Sequence, residues 1–192
     1  MPEFSDQRAP LKPVSRWVPS PNADERPDGE VSLIVLHAIS LPPGQFGGDA
    51  IEALFTNQLD TQAHPYFTGI AHLRVSAHFL IRRDGECVQF VETERRAWHA
   101  GRSRWWDTRC EQWRLALNDF SVGIELEGDD ETPFTQAQYA TLASLVGDLL
   151  VHHPQLDLSR ITSHSKVAPF ARVTLGQPST GPIFSNISMI KP

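Results

Sequence analysis

The sequence predicts a single α/β domain with a central mixed β-sheet flanked by helices. Three observations predict it. Two short apolar, β-branched runs, "VSLIVLHA" (31–38) and "FSVGIELEG" (120–128), read as buried strands. Between them, "AHFLIRRDGECVQFV" (77–91) carries a hairpin signal, with two apolar runs around Asp84-Gly85. From Thr135 the apolar residues recur every three or four positions, the period of a helix. Strands interleaved with helices, with a hairpin in the middle, imply a mixed sheet with helices packed on it.

The elements follow in order. Residues 1–30 are rich in proline and polar side chains and read as an extended N-terminal arm. They contain no apolar stretch of the kind an export signal needs. The run 31–38 ends its strand at His37. "DAIEALFT" (49–56) is long enough for about two helical turns. In 77–91, Asp84-Gly85 suits a tight turn with positive φ. After the strand 120–128 comes the helical face Tyr139, Leu142, Leu145, Val146, Leu149 and Leu150. Thr135 and Gln138 fit a capping box at its start, and His153-Pro154 predicts its end. "SRITSHS" (159–165) returns as a short strand that brings His164 to its end.

With 192 residues, 40% of them apolar, the chain can bury a sizeable core in one domain without disulfides or structural metals. A net charge of −6 argues against nucleic acid or an anionic membrane as the main partner. No apolar run approaches the roughly 20 residues that span a bilayer. Cys87 and Cys110 are the only cysteines. Two suit a reducing cytoplasm, although one disulfide between them is compatible with the sequence.

Three residues stand at or near strand ends, where side chains can converge on a cleft: His37, Glu125 and His164. Two imidazoles and a carboxylate are the minimum set for a zinc hydrolase, with the carboxylate as ligand or general base. On spacing alone the signal is weak, because a lone histidine at a strand end is more often a hydrogen-bonded structural residue. Glu125 and Glu127 alternate with apolar neighbours, so one could simply face solvent. His78 and His99 are further candidates for supporting or core roles.

Longer motifs lift the reading. "LIVLHAISLPPGQFGGDAIEALFTNQLD", "HPYFTGIAHLRVSAHFLIRRDGECVQFV", "RAWHAG", "NDFSVGIELEG" and "TSHSKVAP" resemble, in order and spacing, the AmpD-type N-acetylmuramyl-L-alanine amidases of the amidase-2 and peptidoglycan-recognition superfamily. The likeness runs from about Trp17 to Pro169. It implies a cytoplasmic zinc hydrolase of cell-wall recycling, acting as a monomer on small anhydromuropeptides and limiting the signals that induce β-lactamase. The bond cut would be the amide between the lactyl group of 1,6-anhydro-N-acetylmuramic acid and L-alanine. The resemblance further implies that His37 and His164 are zinc ligands and Glu125 the catalytic acid/base. Trp98 and His99 would line the cleft, Trp98 either stacking on a sugar or filling the core. Two other classes remain open: a module that binds muropeptide without cutting it, and a structural relative with a protein partner.

The chain departs from the family in three places. Ala38 follows His37 where the family commonly has Asn, which removes one polar contact to substrate. The Trp-rich stretch 102–117 is longer than the family pattern, and reads either as a substrate-facing loop or as a surface cluster. After Pro169 the family continues to Asp-Pro-Gly-Pro-x-Phe-Asp-Trp, whose first Asp, ten residues beyond the second histidine, is the third zinc ligand. Here that position is Thr174, and Arg172 stands where the family has an oxyanion-stabilising Lys. A neutral hydroxyl is a poor zinc ligand, and a guanidinium replaces an ammonium imperfectly. No Asp, Glu, Cys or His follows Pro169. Residues 173–184 can nevertheless be encoded so that the neighbouring frame reads Asp-Pro-Gly-Pro-Ala-Phe-Asp-Trp, with the Asp at position 174. That coincidence points to a one-base deletion (or two-base gain) near codons 169–171, with 31–169 as the catalytic domain and 170–192 as an aberrant tail.

Overall fold

The computed structural model describes residues 11–129 and 131–167. Along the chain come strands β1 (Val14–Trp17), β2 (Ala23–Glu25) and β3 (Leu33–Ile39), then helix α1 (Ala50–Phe55). β4 (Phe79–Ile81) and β5 (Cys87–Gln89) form a hairpin, and β6 (Arg95–Ala97) follows. β7 (Arg104–Asp107) and β8 (Gln112–Leu115) form a second hairpin. β9 (Ser121–Glu127), helix α2 (Gln136–His152), β10 (Ile161–Ser163) and the short α3 (His164–Val167) complete the described order.

Six strands make one mixed sheet in the order β1-β5-β4-β9-β3-β10, in which only the β4–β5 pair is antiparallel. The long parallel pair β3–β9 lies inside it and sets His37 opposite Glu125. Both strands are buried along almost their whole length, as parallel strands covered on both faces must be. Because side chains alternate across a strand, the two faces differ. Ile34, Leu36, Val122, Ile124 and Leu126 pack on one side with Leu142, Leu145, Val146 and Leu149 of α2. His37, Ser121, Gly123 and Glu125 are out of phase with that set and face the other side.

The predicted helices and the strands 31–38 and 120–128 match α1, α2, β3 and β9 within one or two residues. α2 begins with both halves of the capping box, and its C-cap His153 is extended (φ −123°, ψ 92°), as a residue before proline must be. The β4–β5 turn is wider than the expected two-residue turn. Gly85 N–H donates to the Arg82 carbonyl and Arg82 N–H to the Glu86 carbonyl. Gly85 alone of the central pair has positive φ (+91°), and a Cβ there would sit 3.1 Å from Ala137 of α2. The turn is therefore fitted to the helix rather than to the hairpin alone.

The segment read as an extended N-terminal arm is, from Leu11 onward, paired with other strands. β1 adds an edge to the sheet beside β5, and β2 pairs with β6. Asn22 Nδ2 donates to the Phe55 and Val75 carbonyls, tying the segment to the end of α1 and to the loop before β4. Extended, proline-punctuated backbone is what a sheet edge accepts, so composition identified the conformation and missed the docking. Among the described residues, no helix is long and apolar enough to cross a membrane.

Candidate active site

Register and alternation build the site. His37 on β3 and Glu125 on β9 are cross-strand neighbours on the face away from α2, with His37 Nδ1 3.8 Å from Glu125 Oε1. His164 enters from the residue after β10, and β10 lies beside β3, so its ring comes to 4.8 Å from the His37 ring, centroid to centroid. His99 closes the other side, its ring edge-on to His37 at 5.1 Å.

The electrostatics are those of a dry cleft. His37 and Glu125 are each 5% exposed. Burial, and then the neighbouring His164 and His99, push His37 well below its ordinary value, so its imidazole is neutral. Burial also lowers His164 and His99. It acts on Glu125 in the opposite sense and pushes the carboxyl up to about 8. Glu125 Oε2 and His164 Nδ1 are buried without a hydrogen-bond partner among the described residues. Orphaned buried polar atoms are rare and require an explanation. Two on one site is the arrangement expected where a third body completes the bonding.

Glu127, two residues on, is the contrast. It is 1% exposed, neither solvent-facing nor orphaned. Its carboxylate accepts N–H bonds from Gly47 (2.6 Å) and Arg83 (3.2 Å), so it ties loops together. His78 is equally structural. Its Nδ1 accepts from Gly123 N–H at 2.9 Å, and Nε2 then carries the proton toward the Arg95 carbonyl at 3.1 Å. Behind it lies Arg26, also buried, which donates to the Thr93, Asn118 and Ser121 carbonyls.

Of the remaining expected residues, Trp98 is half-buried with its side chain hydrogen-bonded to Asp24. Ala38 is half-buried at the margin of the α2-side core, on the face opposite His37. Arg172 and Thr174 lie outside the described residues. Sequence reasoning missed Ser121 and Gly123, which seat His99. Ser121 Oγ lies 3.2 Å from His99 Nε2, and a Cβ on Gly123 would come within 2.4 Å of His99 Cγ. A glycine inside a strand is the available signal for such a close approach. The Trp-rich stretch is the β7–β8 hairpin, with Trp106 and Trp113 exposed and edge-to-face at 5.7 Å, while Trp105 lies under Arg160. Cys87 and Cys110 are both free thiols. Among the described residues, no group of three or more His, Cys, Asp or Glu side chains is arranged to hold a metal ion.

Comparison with known proteins places the chain in a family. Residues 27–177 match the family described as N-acetylmuramoyl-L-alanine amidase. The 1,6-anhydro-N-acetylmuramyl-L-alanine amidase AmpD of Citrobacter freundii is 55% identical over 156 residues, covering 81% of this chain and 80% of that protein. Its counterpart in Escherichia coli strain K12 is 54% identical over the same length, with 81% of each chain covered. Among solved structures, a crystal structure of a selenomethionine AmpD derivative superposes with a TM-score of 0.82 at 49% identity. It covers 93% of this chain, which covers 94% of it.

Proposed function

The chain belongs to the N-acetylmuramoyl-L-alanine amidase family, and from that premise we propose that it hydrolyses the amide between the lactyl group of 1,6-anhydro-N-acetylmuramic acid and L-alanine. The substrate reading is supported by the name its relatives carry, at 54–55% identity over most of each chain. The observation that carries the assignment of residues is the cross-strand pair His37–Glu125 with His164 beside it.

The roles follow from the chemistry. His37 and His164 are neutral imidazoles facing one cleft, and His164 Nδ1 has no partner among the described residues; these fit a borderline-soft cation such as zinc. They would hold it as two ligands, with Thr174 at the position of the family's third ligand. When bound, zinc supplies Lewis acidity to the scissile carbonyl and lowers the pKa of water. Glu125, with its carboxyl pushed up to about 8, exchanges a proton near neutral pH. It takes the proton of the attacking water and returns it to the leaving amine of L-alanine. The enclosed walls keep bulk water from competing. Two free thiols support a reducing, cytoplasmic setting, consistent with the recycling of small peptidoglycan fragments and, through it, with restraint of β-lactamase induction.

The third ligand decides how well this chain works. With Thr174 at the family's Asp position, the chain as written is an impaired amidase, and Thr174→Asp regains part of what is lost. The test measures zinc per chain and release of peptide from 1,6-anhydromuramyl tripeptide, with and without Thr174→Asp. The expected result is low zinc and low turnover, both rising in the variant by at least the roughly 10–100-fold that even an indirect support of a metal site is worth. Equal, full activity from both chains would overturn the ligand set. Tight muropeptide binding with no cleavage by either chain would favour the binding-module reading.

A further inference from the structure

One hydrogen-bond chain runs through the wall of the site and ends on a backbone carbonyl. Ser121 Oγ lies 2.6 Å from the Leu117 carbonyl oxygen and 3.2 Å from His99 Nε2. His99 Nδ1 in turn lies 3.0 Å from His37 Nε2. A carbonyl can only accept, so the one hydroxyl proton of Ser121 goes to Leu117. Toward His99 the hydroxyl can then only accept, which puts a proton on His99 Nε2. In a neutral imidazole the other nitrogen is bare. His99 Nδ1 therefore accepts, and His37 Nε2 must donate. The final step leaves His37 Nδ1 without a proton, on the side where Glu125 Oε1 stands at 3.8 Å. The reverse order would set two acceptors, Ser121 Oγ and the Leu117 carbonyl, against each other at 2.6 Å.

We infer that Ser121 and His99 are positioning residues that fix the tautomer of His37, so that it offers the cleft a lone pair at Nδ1 rather than an N–H. The inference rests on the reading of His37 as a ligand only for its purpose, not for its geometry. Two further features hold the relay still. Asn118 Oδ1 accepts the backbone N–H groups of both His99 (3.2 Å) and Ala100 (2.8 Å). The missing side chain of Gly123 opens the space that the His99 ring fills. A ligand histidine whose second nitrogen is bonded in this way is pre-set in tautomer and ring orientation before a metal arrives.

The primary test needs no metal. Two-bond nitrogen–proton NMR on the metal-free full chain reports which imidazole nitrogen carries the proton. The expected spectrum has His37 and His99 both protonated at Nε2 and bare at Nδ1. Ser121→Ala removes the end of the relay, and a population of His37 protonated at Nδ1 should then emerge. A parent spectrum with either ring protonated at Nδ1 would overturn the assignment, as would a Ser121→Ala spectrum identical to the parent's. The second readout is zinc affinity, measured by chelator competition in the chain carrying Thr174→Asp. Ser121→Ala and His99→Phe should weaken it by about 10–100-fold. His99→Gln, whose amide oxygen can still accept from His37, should recover part of the loss. Unchanged affinity in His99→Phe would remove the positioning role. If no chain bound zinc while the tautomers stood as assigned, the metal reading of the site would fail and the relay would survive.

Discussion

Glu125 and Glu127 lie two residues apart on β9, are almost equally buried, and have opposite chemistry. Glu127 accepts two backbone N–H bonds, whereas Glu125 Oε2 has no partner among the described residues. An unsupported buried carboxyl destabilises the fold once it ionises. The sign follows from linkage. Burial pushes Glu125 up to about 8, so between the ordinary carboxylate value and that point the folded chain holds a proton that the unfolded chain has released. Stability is then unaffected by Glu125 in acid, falls as pH rises through this window, and carries the full penalty above it. The size is on the order of 5 kcal/mol. Glu125→Gln should therefore raise the Tm of the metal-free protein strongly at about pH 8.5 and little at about pH 4, read by thermal unfolding at both. The same variant should lose amidase turnover by about 100- to 10,000-fold, the usual worth of a general acid/base. An equal Tm gain at the two pH values would show that the carboxyl is not held protonated. Alternation along the strand does not separate the two glutamates, and only the family resemblance singles out Glu125, because their bonding partners come from loops far along the chain.

At the scale of elements, α2 was legible because its signals are local. The Thr135–Gln138 box, the three-to-four spacing and His153-Pro154 all act within a turn or two of the backbone they control. Gln138 does more than cap. Its Nε2 donates to the Ile81 carbonyl at 3.2 Å and the Glu127 carbonyl at 2.9 Å, joining the helix start to β4 and β9 in the buried core. Thr135→Ala should cost about 1 kcal/mol as a lost cap. Gln138→Ala should cost more, about 2–4 kcal/mol, because it also strands two buried carbonyls. Urea unfolding ranks the two, and equal losses would mean that the cross-links contribute nothing beyond the cap. The hairpins divide on the same principle. The β4–β5 signal is written in adjacent residues, while its wide turn answers to Ala137 and Thr141 of α2. The β7–β8 hairpin carried no comparable turn signal.

Across the whole molecule, a buried ion pair fastens that second hairpin to the sheet. Asp107 at the end of β7 meets Arg160, just before β10, through two bonds of 2.9 Å. Arg160 also donates to the Ser32 carbonyl and lies over Trp105. Breaking such a pair from one side leaves a buried charge uncompensated. Asp107→Asn should accordingly destabilise the protein by about 3–5 kcal/mol. The Arg160 guanidinium holds the Asp107 carboxyl down to about 2. Its contribution is then fully present above the ordinary carboxylate range and disappears as pH falls through about 2. Acid unfolding followed by circular dichroism should start at higher pH in the variant, and coincident curves would show that the pair contributes no stability. This clasp spans 53 residues and left no mark in either local sequence. The strands within 31–38, 77–91, 120–128 and 159–165, helices α1 and α2, the capping box and the family motifs around His37, Glu125 and His164 were determined by the sequence alone, since periodicity and capping depend on near neighbours. The docking of 11–30 on the sheet, the Asp107–Arg160 clasp, the opposite hydrogen bonding of Glu125 and Glu127 and the Ser121–His99–His37 relay were decided only by tertiary structure. Each depends on which distant backbone groups and rings come within hydrogen-bonding distance once the sheet has set its register, and a one-dimensional pattern does not carry that information.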